Sequence, residues 1–176
     1  MLNKILDFHI HSRYSRACSK DLDLLNIAKA CERKGIDIVS TGDFTHPAWF
    51  KHIQENLVEI DNTGLYQLSS RASTKGRRGI FPSTDRDSSF VVGMTETSPT
   101  RFILGTEISC IYKDKDATRR VHLLILSPSI EAVAKFNQVL TDKGVNIRSD
   151  GRPIMGLSAK SILQIECTAR PPEVRA

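Results

Sequence analysis

Residues 5–11 are Ile5-Leu6-Asp7-Phe8-His9-Ile10-His11, and they contain the first apolar run of the chain, Ile5 to Ile10, with the histidines His9 and His11 at its end. A β-strand sends alternate side chains to opposite faces, so Asp7, His9 and His11 are predicted to project from one face. Imidazole and carboxylate groups are suitable ligands for zinc, manganese or iron. The stretch therefore predicts a strand from Ile5 to Ile10 that supplies metal ligands. A pair of histidines in an ordinary strand is the alternative.

A helix and a second apolar strand follow this run. Asp21 is predicted to cap a helix with apolar residues at three- and four-residue spacing, and Gly35 stands where a left-handed C-cap would fall. Ile36 to Ser40 comes directly after it and is predicted as the second strand. A strand, a helix and a strand make a βαβ unit, which indicates a parallel sheet and an α/β fold.

The loop after the second strand, residues 41–47, holds another carboxylate and another imidazole, Asp43 and His46. Parallel α/β proteins place their chemistry at the C-terminal ends of their strands. We therefore expect Asp43 and His46 to lie beside His9 and His11.

Two later strands each contain one residue that can bind a metal. Arg101 to Ser109 is predicted as a strand with Glu107 inside it, and Val121 to Leu126 as a strand with His122. A carboxylate in an apolar strand is costly to bury unless it is paired or bound to a metal. Further helices are predicted over residues 47–60, from Ser127 to Gly144, and from Ser158 to about Glu166.

Residues 69–100 differ in character from the rest of the chain. Twelve of these thirty-two residues are Ser or Thr and five are Lys or Arg, so the segment is predicted to be a flexible insertion. Its basic residues Arg71, Lys75, Arg77 and Arg78 are candidates for phosphate contacts. A solvated basic loop without a partner is the favoured interpretation, because most charge runs have none.

Composition sets the outer limits. The chain has 176 residues, 40% of them hydrophobic, which is enough for one globular domain. It contains no run of eighteen apolar residues and no signal-peptide pattern, which predicts a cytoplasmic protein without a membrane span. The four cysteines form no Cys-x-x-Cys pair, which favours reduced thiols. The net charge of +5 is compatible with an anionic partner such as DNA.

Four separated motifs together resemble a known family. They are Asp7-x-His9-x-His11-Ser12-Arg13-Tyr14-Ser15-Arg16-Ala17, Thr41-Gly42-Asp43-Phe44-Thr45-His46-Pro47, Glu107-Ile108-Ser109-Cys110-Ile111-Tyr112 with His122 after it, and Ser149-Asp150-Gly151-Arg152-Pro153-Ile154. Their order resembles the polymerase and histidinol phosphatase (PHP) domain, a metal-dependent phosphoesterase. It is most similar to endonuclease Q and its bacterial relatives, often labelled UvrD/Rep-helicase-like proteins, which nick DNA 5′ of a deaminated or missing base.

The resemblance implies a distorted β/α barrel of the PHP type, similar to a TIM barrel, of which this chain supplies about the first four or five strands. It implies a cluster of divalent ions, zinc with magnesium or manganese, and DNA as the partner. The implied metal ligands are His9, His11, His46, Glu107 and His122. Glu107 and Asp43 are the implied catalytic carboxylates, and either Asp43 or His46 can be the ligand from the second motif.

Phosphate or DNA contacts are expected from four basic residues of the same motifs and the loop that follows the first strand: Arg13, Arg16, Lys20 and Arg152. For the three in the loop, ordinary surface charge is an equal alternative.

The chain also departs from the family pattern, which continues with a Pro-Ala-His-type motif and an Asp-x-His pair. No histidine follows His122. We therefore expect residues 1–166 to be the N-terminal part of a PHP domain, with residues 167–176 an unstructured tail. An unfinished barrel is expected to expose strand edges and apolar surface.

Three hypotheses follow for the function. The first is a DNA repair endonuclease related to endonuclease Q, active only if the missing ligands come from elsewhere. The second is a small-molecule phosphatase of the histidinol phosphate type. The third is a non-catalytic, truncated remnant.

Overall fold

The computed structural model describes residues 3–69 and 100–169 of the chain. The segment predicted as an insertion lies almost entirely outside these ranges, as do residues 170–176 of the predicted tail. None of the helices in the described ranges is long and apolar enough to cross a lipid bilayer.

The first half of the chain contains the predicted βαβ unit. Strand β1 (Leu6–Asp7) is followed by helix α1 (Leu24–Lys34) and strand β2 (Ile38–Ser40), and β1 pairs with β2 in parallel. The N-cap of α1 is Asp23, two residues after the predicted cap, and its carboxylate accepts a hydrogen bond from the backbone N–H of Asn26. Gly35 ends the helix in the left-handed conformation, as predicted, with φ of 70°.

The region predicted as one helix from 47 to 60 is a shorter helix and the start of a hairpin. Helix α2 (Pro47–Asn56) is followed by strand β3 (Leu57–Glu59), which pairs antiparallel with strand β4 (Leu65–Leu68). The helical interpretation of residues 57–60 was wrong, because Leu57 and Ile60 continue the apolar spacing of α2 although they belong to a strand and the turn after it.

Two long strands follow and form the largest hairpin of the described chain. Strand β5 (Arg101–Asp114) pairs in parallel with β2 through its first residues and antiparallel with strand β6 (Ala117–Ser127) over the rest of its length. Both strands are longer than predicted. The parallel arrangement therefore holds for β1, β2 and β5, whereas β6 runs in the opposite direction.

The remaining elements complete the chain. Helix α3 (Ile130–Asp142) is capped by Ser129 and not by the predicted Ser127; strand β7 (Ile154–Met155) pairs in parallel with β5, and helix α4 covers Ala159–Ala169. The last helix therefore extends three residues beyond its predicted end, into the region expected to be an unstructured tail.

The fold is a mixed α/β arrangement of helices on a seven-stranded sheet, and the sheet is not closed into a barrel. Helices α1 to α3 each bury one apolar face in a single core, where a buried side chain of this type contributes about 1.5–3 kcal/mol to stability. The largest core side chains, none more than 2% exposed, include Trp49, Tyr66, Phe44, Phe102 and Phe136.

The open sheet leaves apolar side chains in contact with solvent. Leu124 on β6, Ile154 on β7 and Leu163 on α4 are all more than 40% exposed. A groove of about 420 Å³ lies between β6 and α4, with Leu124 and Leu163 in its lining. These side chains give this part of the described chain an exposed apolar surface, and the expectation of an unfinished barrel stays a prediction.

Candidate metal centre

Parallel pairing brings together the ends of three strands. His9 and His11 lie in the loop directly after β1, because β1 stops at Asp7 and does not reach Ile10 as predicted. Strand β2 pairs with β1 on one side and with β5 on the other, and β5 carries Glu107. The order β1-β2-β5 therefore places two imidazoles and one carboxylate at the same edge of the sheet.

Glu107 is the centre of this cluster. Its side chain is only 4% exposed, and its Oε2 atom lies 3.2 Å from Nε2 of His9 and 3.1 Å from Nε2 of His11. Its other oxygen, Oε1, lies 2.6 Å from Nδ1 of His122. Glu107 thus contacts three other predicted site residues, which are His9, His11 and His122.

The donor set fits a divalent metal ion. One ligand atom from each of His9, His11 and Glu107 lies within 4.8 Å of the others. Neutral imidazole and carboxylate at such separations are the groups that zinc and manganese sites use. His122 is not a member of this group, and it contacts the other oxygen of the same carboxylate, Oε1.

Asp43 is completely buried and holds His11 in place. Its Oδ1 lies 3.0 Å from Nδ1 of His11, and its Oδ2 accepts hydrogen bonds from the backbone N–H of Ser12 at 2.6 Å, the Ser12 hydroxyl at 2.7 Å and the Ser15 hydroxyl at 2.9 Å. A carboxylate that orients a metal-binding histidine through its second nitrogen is a common arrangement in metal sites. In this geometry Asp43 is occupied by its hydrogen bonds to His11 and the two serines.

These contacts shift the pKa values of both His11 and Asp43. The hydrogen bond that His11 donates to Asp43 is the largest influence on the pKa of His11 and raises it. Burial alone would raise the pKa of Asp43, but hydrogen bonds from His11, Ser12 and Ser15 outweigh it and hold this pKa below its usual value. An ionised Asp43 only accepts, so Nδ1 of His11 carries a proton, and Nε2 is the ring nitrogen that faces Glu107 and is left for a metal ion.

Glu107 is also held in its ionised form. Burial would raise its pKa, but hydrogen bonds from His9 and His122 and the charge of Arg152 lower it below the usual value. The centre therefore offers a carboxylate at neutral pH, which is the form that binds a metal ion.

The loop around Asp43 is fixed by unusual backbone and by one aromatic side chain. Gly42 and Asp43 both have positive φ, 62° and 49°. The indole N–H of Trp49 donates to the backbone carbonyls of Thr41 at 3.1 Å and Gly42 at 2.8 Å. An aspartate tolerates the left-handed region better than most residues. The two hydrogen bonds of Trp49 hold the backbone carbonyls of the turn in place.

A second loop closes over this network. Gly151 donates its backbone N–H to the carbonyl of Tyr14 at 3.0 Å. A Cβ atom at Gly151 would overlap the carboxylate of Asp43 and the hydroxyl of Ser15, so only glycine fits there without displacing them. Sequence reasoning did not identify Ser12, Ser15 or Gly151 as site residues, although all three stand inside the quoted motifs.

His46 is placed differently from the other predicted ligands. Like His122, it is not a member of the His9, His11 and Glu107 group, and its ring stacks on Tyr14 with a centroid distance of 4.3 Å. Within the described residues, its Nδ1 is buried and has no hydrogen-bond partner. Burial lowers its pKa, so the ring is neutral at physiological pH and its assignment as a metal ligand stays a prediction.

The four predicted phosphate-binding residues are not equivalent. Arg152 reaches the centre, with an Nη1 atom 3.5 Å from Oε2 of Glu107. Arg13 instead forms an ion pair with Asp23 at 2.8 Å, which ties the loop after β1 to the start of α1. Arg16 and Lys20 are exposed on that loop. Of these four residues, Arg152 alone is placed at the Glu107 carboxylate.

The chain was compared with protein-family models, curated proteins and solved structures. No protein-family model matches the chain. An uncharacterised protein of Methanocaldococcus jannaschii is 31% identical over 160 residues, which is 91% of this chain and 14% of that protein. The chain thus spans about a seventh of the length of this curated relative.

Two solved structures resemble the chain. The lesion-specific endonuclease PfuEndoQ from Pyrococcus furiosus has a TM-score of 0.66 and 28% identity, covering 93% of this chain and 32% of its own. Endonuclease Q in complex with a 27-mer duplex that has an abasic lesion at the active site has a TM-score of 0.65 and 29% identity, covering 91% of this chain and 31% of its own. Over nearly all of its length, the chain is therefore similar to about one third of a lesion-specific DNA endonuclease.

Proposed function

We propose that this chain belongs to a metal-dependent DNA repair endonuclease of the endonuclease Q type, which cleaves a phosphodiester 5′ of a deaminated or missing base. The main support is the group of His9, His11 and Glu107 within 4.8 Å, in a chain similar to a lesion-specific endonuclease. The resemblance to a PHP domain and its zinc with magnesium or manganese are part of the same proposal.

The chain's own residues have distinct tasks in this proposal. His9, His11, Glu107 and His122 hold the ions, which when bound supply positive charge at the phosphate and lower the pKa of a water molecule. Asp43 keeps the Nε2 lone pair of His11 directed at the centre, through the hydrogen bond at 3.0 Å.

Arg152 orients the phosphate in this proposal. Its guanidinium reaches the edge of the cluster but lies 3.5 Å from the carboxylate of Glu107, at the limit of a direct hydrogen bond. It is 44% exposed and has donors left for a phosphate oxygen, to which a guanidinium binds with two parallel hydrogen bonds. The reacting phosphate would then lie between Arg152 and the ions.

The test is a nicking assay with the purified chain. A 5′-labelled duplex with a single abasic site, deoxyuridine or deoxyinosine is incubated with Mn²⁺ or Zn²⁺, and the products are separated on a denaturing gel. We expect a nick on the 5′ side of the lesion, no nick in the undamaged duplex, and loss of activity with EDTA.

Glu107→Gln tests the centre directly, because it keeps the shape of the side chain but removes the charge that joins three histidines. We expect it to lower the nicking rate by more than about 100-fold, since it removes a charge from a buried metal site. Glu55→Gln is the matched control, because Glu55 lies exposed on α2. Metal binding without any nicking would contradict the proposal, and release of phosphate from histidinol phosphate would favour the small-molecule phosphatase instead.

A further inference from the structure

The β5–β6 hairpin carries one face of side chains from the metal centre out to its turn. Residues that are directly opposite each other in an antiparallel pair share a face. Ser109 pairs with His122, and Ile111 pairs with Arg120 two residues farther out. The contact of 2.6 Å between His122 and Glu107 shows that this face is the one that holds the centre.

Two basic residues follow His122 along this face. Arg120 is two residues beyond His122 on β6, and Lys113 lies diagonally across from Arg120 on β5, because Lys113 pairs with Thr118. At about 3.3 Å per residue, Arg120 lies about 7 Å beyond His122 and Lys113 about 13 Å beyond it. We call Arg120 and Lys113 the basic track.

Among the residues that the structure describes, no carboxylate pairs with the basic track on its own face. Arg120 and Lys113 are exposed, and the positions of this face between Glu107 and the turn include no other carboxylate. On the opposite face of the same hairpin, Arg119 lies 3.6 Å from the carboxylate of Asp114. Two neighbouring arginines thus differ in surroundings: Arg119 is paired, whereas Arg120 faces solvent beside the centre.

We propose that the basic track binds the phosphate backbone of the DNA strand that enters the metal centre. This proposal rests on the proposed function and adds where the DNA lies. The cations of the basic track extend about 13 Å from the centre, so a small phosphate ester bound at the centre cannot contact all of them. A polynucleotide presents phosphates at regular intervals over that distance and can contact them. Contacts of this kind fix the position of the DNA without reading its sequence.

The test compares Arg120→Ala with Arg119→Ala, which remove the same charge from opposite faces of one hairpin. Binding of a fluorescein-labelled duplex with one abasic site is measured by anisotropy at several salt concentrations, in EDTA so that no cleavage occurs. We expect Arg120→Ala to raise the Kd about three- to tenfold and to reduce the slope of log K against log salt by about one. Arg119→Ala should change the Kd less than about twofold and leave the slope unchanged.

Each outcome decides between clear alternatives. Equal effects of the two substitutions would overturn the inference, because they would indicate a general effect of net charge. Thermal unfolding of both variants shows whether either one has simply lost its fold, and Arg120→Lys should restore most of the binding because it restores the charge.

The proposed function is tested separately. If the chain nicks the lesion duplex but Arg120→Ala binds that duplex with unchanged affinity, the role of the basic track is refuted and the endonuclease proposal is not. If Arg120→Ala weakens binding more than Arg119→Ala but the unsubstituted chain never nicks DNA, the basic track stands and the catalytic proposal fails.

Discussion

Replacing Asp43 by asparagine tests how far the centre depends on a residue that is completely buried beneath it. The new amide has two orientations, and both are unfavourable. With its nitrogen at the place of Oδ2, it faces the backbone N–H of Ser12, which lies 2.6 Å away and is itself a donor. With its nitrogen at the place of Oδ1, it donates to His11 and moves the ring proton to Nε2, where the lone pair for the metal is needed.

The size of the effect follows from these contacts. A hydrogen bond to a charged group contributes about 1.5–3 kcal/mol, and leaving one buried donor without an acceptor costs about 1–3 kcal/mol. Since part of the network survives in either orientation, we expect the free energy of unfolding of Asp43→Asn to fall by about 2–4 kcal/mol. Loss of an orienting carboxylate weakens metal binding by about 10- to 100-fold.

Two measurements check this prediction. Urea denaturation followed by circular dichroism gives the free energy of unfolding, and calorimetric titration with Zn²⁺ or Mn²⁺ gives the metal affinity. The matched control is Asp61→Asn, because Asp61 also has a positive φ, 47°, but is exposed in a turn. If Asp43→Asn bound metal as tightly as the control, the assignment of Asp43 as the residue that orients His11 would be refuted.

Two further predictions concern the same network. The pKa values of Asp43 and Glu107 lie below their ordinary values, 3.8 and 4.5, so their contribution to stability is present above those values and is lost as the pH falls through the lower, folded-state values. Urea midpoints of the metal-free chain should therefore drop as the pH falls below these ordinary values, with a flatter profile for Asp43→Asn. Gly151→Ala forces a methyl group against the Asp43 carboxylate, so it should destabilise the chain by about 1–3 kcal/mol and weaken metal binding, whereas Gly156→Ala, with open space around its Cβ position, should have little effect on metal binding.

The residues with strong local signals could be predicted from the sequence. Gly35 ends α1 in the left-handed conformation because glycine is the residue that adopts it without strain. Glu107 was singled out because a carboxylate inside an apolar strand requires a partner, and it has three histidines and an arginine around it. Short connections predicted the parallel pairing of β1 and β2.

Features without such a local signal were not accessible in this way. The direction of β6 is set by the tight turn at Lys115, where a non-glycine residue has φ of 53°, and the sequence there has no glycine that would indicate a hairpin. Arg13 and Arg152 are both arginines within the quoted motifs, so the sequence does not distinguish them. In the folded chain Arg13 pairs with Asp23, whereas Arg152 lies near Glu107. The hydrogen bonds of Ser12 and Ser15 to Asp43 join residues about 30 positions apart, so no local pattern reveals them.

The continuous pairing of β5 with β6 limits how the length of this chain can change during evolution. Because side chains alternate along a strand, deleting a single residue between Gly105 and Glu107 would turn the carboxylate to the opposite face of the sheet. A pair of residues added at the turn between Asp114 and Ala117 would instead lengthen the hairpin and leave every pairing nearer the centre as it is. Related chains should therefore vary in the reach of this hairpin while the distance between Glu107 and His122 stays constant.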